Sequence, residues 1–226
     1  MIREAFLSLG LLSLVACAGS EHSTRAVSPN AADSGLGALD PSSLVVTSGE
    51  ITRVSATRFE TSSGAMRAQR KGKGPDVAEL RFHFRGPTED DVPLSSGEIR
   101  RQIGLKLRAQ DGCNVVYAMW HIEPSRGLSI SVKSNPDKHE SSACGDGGYT
   151  FLEAREEHEV QEIEADSEHT LRAAIAGKDL QVYADGKLSW VAELPEEALG
   201  FDGPAGVRTD NGIFDMEFRV GDAARP

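Results

Sequence analysis

Leu171-Arg172-Ala173-Ala174-Ile175-Ala176-Gly177-Lys178-Asp179-Leu180-Gln181-Val182-Tyr183-Ala184-Asp185-Gly186-Lys187-Leu188-Ser189-Trp190 reads as three short strands joined by two tight turns. Leu171, Ala173 and Ile175 recur in steps of two, as do Leu180 and Val182, then Leu188 and Trp190. A period of two is that of a strand with one face in a core. Gly177-Lys178-Asp179 and Asp185-Gly186-Lys187 interrupt it with residues that accept the positive φ a tight hairpin needs.

The same rhythm extends in both directions. Upstream, Leu80, Phe82 and Phe84 share a face, as do Ile99, Ile103, Leu105 and Leu107 opposite Arg100, Gln102, Lys106 and Arg108. Asp111-Gly112 then marks a turn. Val115 to Ile122 is apolar on both faces, which predicts a central strand covered on both sides. Leu128, Ile130 and Val132 alternate with Ser129, Ser131 and Lys133. Downstream, Pro195 to Leu199 has room for one helical turn, and 206–208 and 213–220 read as two closing strands. Three stretches carry no such rhythm. Residues 61–76, with Arg67, Arg70, Lys71 and Lys73, read as an exposed basic loop or an anion contact. Residues 136–150 form a Gly- and charge-rich loop, and 151–164 is acidic with only Val160 and Ile163 as clear apolar contacts. About ten short strands separated by turn residues, with no long helical period, predict an all-β sandwich.

The chain opens differently. An apolar run of 12 residues, Ala5 to Ala16, follows Arg3 and ends at Cys17. It is too short to span a bilayer, which takes about 20 residues, and matches the h-region of a secretory signal. Leu14-Val15-Ala16-Cys17 resembles the bacterial lipobox. That resemblance implies cleavage after residue 16, diacylation of Cys17 and a lipoprotein held in the cell envelope. Ala18, rather than Asp, favours the outer membrane. Residues 17–43, rich in Ser, Ala, Gly, Asp and Pro, then read as a lipidated Cys and flexible tether, and 44–226 as the domain.

The charge balance of −11 argues against a nucleic-acid partner, which would need a surplus of Lys and Arg. With Cys17 assigned to lipid, Cys113 and Cys144 remain, and an oxidising compartment lets them pair as a disulfide. A metal site using His121 and His139 is the rival reading. The spacing lacks the close Cys pairs of zinc sites. Free thiols are the remaining alternative.

From His169 to Phe218 a set of residues resembles the concanavalin A-like lectin/glucanase superfamily. It runs His169-Thr170-Leu171, Gly177, Leu180-Gln181-Val182-Tyr183, Asp185-Gly186-Lys187, Gly203-Pro204, Gly206-Val207-Arg208, Asp210-Asn211, Phe214 and Phe218. The resemblance implies a jelly-roll of two stacked antiparallel sheets, with any ligand on the concave face of one of them. Glucanases of this superfamily carry paired carboxylates on one strand, which alternation keeps on one face. Glu164-Ala165-Asp166-Ser167-Glu168 is the near-match, but Ala165 and Ser167 lack the bulk such a strand buries behind its acids. The superfamily's 3-keto-disaccharide hydrolase-like domains carry a Gly-Asn-Ser-Gly-type turn. The corresponding Gln110-Asp111-Gly112-Cys113-Asn114 departs from it. No nucleophile elbow or His-Glu-x-x-His motif is present. The expectation is therefore non-catalytic binding of glycan or another envelope component, with a divergent glycoside hydrolase or lyase, or a protein-interaction module, as alternatives. Trp120, Tyr117 and His121, with Lys106 and Arg108 on the neighbouring strand, are the candidate ligand-binding residues. The alternation equally allows Trp120 a place in the core. No resident cofactor is expected. Calcium often assists lectins, and Asp210, Asn211 and Asp215 offer oxygens, but at a spacing that fits no defined loop.

Overall fold

The computed structural model describes residues 35–75 and 77–221. Along these the strands are β1 (Gly37–Ala38), β2 (Leu44–Ser48), β3 (Thr52–Arg53), β4 (Arg58–Thr61), β5 (Ala65–Arg70), β6 (Val77–Pro87), β7 (Arg101–Leu107) and β8 (Val115–Glu123). They continue with β9 (Gly127–Lys133), β10 (Tyr149–Phe151), β11 (Glu156–Glu157), β12 (Glu168–Ala176), β13 (Asp179–Ala184), β14 (Lys187–Glu193), β15 (Gly206–Asp210) and β16 (Gly212–Gly221). Two single-turn helices, α1 (Ser141–Cys144) and α2 (Glu196–Leu199), lie between them.

The strands form a jelly-roll sandwich of two antiparallel sheets. One has nine strands in the order β11-β14-β13-β12-β6-β16-β4-β3, with β1 added beside β16. The other has seven, in the order β10-β9-β8-β7-β15-β5-β2. Residues 171–190 fall in the meander β12-β13-β14, paired Ile175 to Leu180 and Val182 to Trp190. Asp185 and Gly186 take the positive φ their turn requires.

Alternation builds the core between the sheets. Leu80, Phe82, Leu171, Val182, Phe214 and Phe218 of the larger sheet meet Ile103, Leu105, Val116, Trp120 and Ile130 of the smaller. At the centre the Phe82 ring stands edge-on to Trp120, with centroids 6.1 Å apart, and edge-on to Phe214 at the same separation. Such pairs add about 0.5–1.5 kcal/mol beyond the area they bury.

Three boundaries differ from expectation. The sandwich begins before residue 44: Leu36 is buried, Gly37 and Ala38 pair with β16, and Leu39 N–H donates to the Phe218 carbonyl at 2.9 Å. The expected tether thus ends on a sheet, while Cys17 and the signal-like segment lie outside the described residues. Residues 65–70 are not a loop but the strand β5, with Met66 and Ala68 fully buried. Ile99 does not join the buried face of β7. It is half exposed, because the strand starts at Arg101 and shifts register between Arg101 and Gln102.

Candidate functional site

The outward face of the seven-stranded sheet carries the candidate site, and strand register places each residue. One cross-strand row reads Ala65, Asp210, Gln102, His121. The next reads Arg67, Arg208, Gly104, Met119, Ser129. A third reads Gln69, Gly206, Lys106, Tyr117, Ser131, Phe151. A fourth pairs Val115, Lys133 and Tyr149. Side chains two apart on one strand and directly opposite on the next are neighbours, so these rows are a floor. Gly104 is a gap in it, because a Cβ there would lie 2.6 Å from Met119 Sδ and 2.3 Å from the Ala118 carbonyl oxygen.

Two loops wall the floor into a hollow of about 430 Å³. One wall is the segment 88–100, contributing Val92 to Ser96 and the Glu98–Arg100 ion pair. Asn211, at the β15–β16 turn with φ +55° and fully buried, holds that wall. Its Oδ1 accepts from Val92 N–H at 2.7 Å, and its Nδ2 donates to the carbonyls of Val92 at 3.0 Å and Arg100 at 2.9 Å. The other wall runs from β9 through α1 to β10. The Cys113–Cys144 disulfide fastens it to the start of β8, with a Cα–Cα distance of 5.9 Å. Asn114 braces it further by donating to the Lys138 carbonyl at 3.0 Å and accepting from Asn135 N–H at 2.8 Å. From this wall Tyr149 stacks on Tyr117, with centroids 6.1 Å apart and planes 25° apart, and Phe151 projects 60 % exposed.

The floor is polar and cationic at its centre. Asp210 Oδ1 accepts from Arg67, and its Oδ2 accepts from Arg208 Nε at 2.9 Å and Gln102 Nε2 at 2.6 Å. Burial pushes the Asp210 carboxyl upward, but Arg208 and Arg67 outweigh it and hold the group below its usual pKa. Arg208 also lies 5.1 Å from the Tyr117 ring centroid, and Lys133 5.0 Å from that of Tyr149. Burial, then Arg67 and Arg208, brings Lys106 down to about 8. Burial, then Arg100, brings His121 down to about 4, so this imidazole is neutral at physiological pH.

Of the five ligand-binding candidates, Tyr117, Lys106 and His121 lie on this outward face. Tyr117 lines the hollow, Lys106 stands beside it bonded to Gln69 Oε1 at 3.1 Å, and His121 bonds Ser129 Oγ at its margin. Trp120 points the other way, into the core, where it is 1 % exposed. Arg108 lies past the end of β7 at φ +48° and donates to the Ala198 and Gly177 carbonyls, away from the floor. Sequence reading passed over Arg67, Gln102, Lys133, Tyr149, Phe151, Arg208 and Asp210 as ligand contacts. Arg67 carried a signal, as part of the basic run weighed as an anion contact. Arg208 and Asp210 stood inside the superfamily-like pattern.

The oxygens considered for calcium do not converge. Asp210 is occupied by three donors, Asn211 holds the loop, and Asp215 is on the other sheet, 2.9 Å from Arg58 Nε. No group of three or more His, Cys, Asp or Glu side chains gathers as a metal set among the described residues. The acidic stretch 164–168 also lies against the larger sheet. Ala165 bridges Phe84, Asp166 Oδ1 accepts from Arg85 Nη1 at 2.7 Å, and Glu168 opens β12.

No family model matches the sequence, and no curated protein does. Solved structures do match in fold. One is the carbohydrate-binding module CBM66 from Bacillus subtilis, at 13 % identity and a TM-score of 0.55, covering 77 % of this chain and 91 % of that one. Another is a LamA variant from Zobellia galactanivorans in complex with laminaritriose and laminaritetraose. It matches at 8 % identity and a TM-score of 0.50, covering 83 % of this chain and 95 % of the other. At such identities the likeness is one of fold alone, the jelly-roll of two antiparallel sheets.

Proposed function

We propose that the hollow on the seven-stranded sheet binds a glycan without turning it over, in a domain held at the cell envelope by lipid on Cys17. One observation carries the binding reading. Phe151, the most exposed large apolar side chain among the described residues, stands on the wall of a hollow whose floor is polar. An apolar ring beside hydroxyl-bonding groups suits a sugar, which presents C–H faces and hydroxyl edges together. Tyr149 and Tyr117 extend the ring surface; Ser129, Ser131, Gln102 and Arg208 supply donors and acceptors. The fold shared with a carbohydrate-binding module supports the same reading.

Hydrolysis of a glycosidic bond takes two carboxyl groups across the scissile bond. Asp210, Glu98 and Asp146 are the carboxylates lining the hollow; the Asp210 oxygens are taken by Arg67, Arg208 and Gln102, and Glu98 is paired with Arg100. That favours binding over turnover. The test is retention of the full chain, purified in detergent, on a broad glycan panel, with reducing-end release followed in parallel. Binding without release is expected, lost on Tyr149→Ala. Release of reducing ends abolished by Glu164→Gln or Glu168→Gln would establish an enzyme. For the anchor, Cys17→Ser is expected to leave soluble or uncleaved protein, and unchanged membrane retention would refute lipidation.

A further inference from the structure

We infer that the ligand is an acidic sugar, its carboxylate or sulfate seated over Arg208 and Arg67 with Lys106 beside them. The inference rests on the glycan-binding reading and names the class of glycan. The chain as a whole is acidic, at −11, yet the floor gathers cations. Arg67 and Arg208 are directly opposite on paired strands, and Lys106 is opposite Gly206, two residues from Arg208. Like charges opposite one another destabilise a sheet, and burial makes the cost larger. Asp210 is the carboxylate that both arginines share, while the anion acting on Lys106 is Asp111, so the Arg67–Arg208 pair keeps a surplus of one positive charge (2 − 1) beside Lys106. At the rim Glu98 pairs with Arg100, and Lys133 donates to the Gly145 carbonyl at 2.6 Å with Asp146 adjacent in sequence.

The surplus is also free to act. Arg208 donates through Nε to Asp210 and offers Nη1 to the Tyr149 hydroxyl at 3.5 Å, with the Tyr117 hydroxyl also within its reach. Lys106 spends one of its N–H groups, on Gln69. The sandwich packs its core on the opposite face and gains nothing from this repulsion. An arriving oxyanion would relieve it, and an arginine fork matches the two oxygens of a carboxylate. Burial is the main cause of the lowered Lys106 pKa, and Arg67 and Arg208 add to it.

Two matched pairs of probes test the inference, with the full chain in detergent. One pair is polygalacturonate oligosaccharides against the same oligosaccharides methyl-esterified. The other is dextran sulfate oligosaccharides against dextran. The acidic member of at least one pair is expected to bind about tenfold tighter than its neutral partner. Its affinity is expected to fall as salt is raised from about 50 to about 300 mM. The pair that shows the preference separates a carboxylate from a sulfate. Arg208→Gln is expected to remove the preference. Lys106→Gln is expected to relieve the repulsion, to stay folded and to lower acidic-ligand affinity about threefold or more. Neutral members binding as well as acidic ones in both pairs would overturn the inference while leaving glycan binding intact. The same holds if acidic binding survives both substitutions. No retention on these probes or on the broad panel would overturn both readings.

Discussion

Trp120 and Tyr117 are three residues apart on β8 and therefore point to opposite faces of the sheet. Trp120 packs on Phe82 and on His169, whose ring centroid is 5.5 Å away. Tyr117 backs the hollow. Trp120→Phe is expected to lower unfolding stability by about 1–3 kcal/mol through the volume it removes, with ligand affinity unchanged. Tyr117→Ala is expected to cost affinity, so the two should separate in paired denaturation and binding measurements. Which ring faced the core was not legible. A strand apolar on both faces does not say which side the second sheet covers, and only alternation, which set Tyr117 with His121 against Trp120, was available. Arg108 was misplaced for a different reason: it follows the alternation of β7 in number, but the strand ends at Leu107 and its φ is positive. His121 gives a pH prediction. Its pKa falls from 6.5 to about 4 on folding, chiefly through burial. Between those pH values the unfolded chain binds a proton that the folded one does not, so stability falls as pH drops through that window. The loss is at most about 3 kcal/mol. Thermal midpoints of the wild type are expected to decline from pH 6.5 to 4 more steeply than those of His121→Gln; parallel profiles would refute this.

At the scale of elements, the β12-β13-β14 meander, β8 and β9 were readable because their inward residues are large and recur every second position. β5 was not. Its inward residues are Met66 and Ala68, its outward ones Arg67 and Gln69, and it sits among Ser, Gly and Lys, so a real strand looks like a basic loop. The loop 88–100 was equally silent, since what orders it is a side chain more than a hundred residues away. Three hydrogen bonds from Asn211 hold it. Asn211→Gly keeps the positive φ accessible and removes those bonds. It is expected to make the segment 88–100 susceptible to limited proteolysis and to weaken binding several-fold at the hollow. Unchanged protection would show that other contacts hold the wall.

For the whole molecule, the disulfide ties the site wall at the end of α1 to the chain just before β8, across a sequence separation of 31. The pairing was legible from cysteine count and expected compartment. Its structural consequence, a braced wall that presents Tyr149 and Phe151, was not, because 136–150 has no periodicity to interpret. In the chain-entropy account a closed loop of this length stabilises the fold by roughly 3–4 kcal/mol. Reduction, or Cys113→Ser with Cys144→Ser, is expected to lower the thermal midpoint by roughly 10 °C and ligand affinity with it. A midpoint unchanged on reduction would contradict that. The two-sheet architecture was foreseeable from strand rhythm and turns. The floor was only half so, because a binding face assembled from β5, β15, β7, β8, β9 and β10 depends on strand order, which alternation does not encode. The central claim is that this face holds the ligand. Backbone amide shifts recorded while the protein is titrated with polygalacturonate oligosaccharides test it most directly. The perturbed residues are expected to cluster at Arg67, Lys106, Tyr117, Lys133, Tyr149 and Arg208. Perturbations confined to the outer face of the nine-stranded sheet, around Arg58, His83 and Asp215, would contradict it.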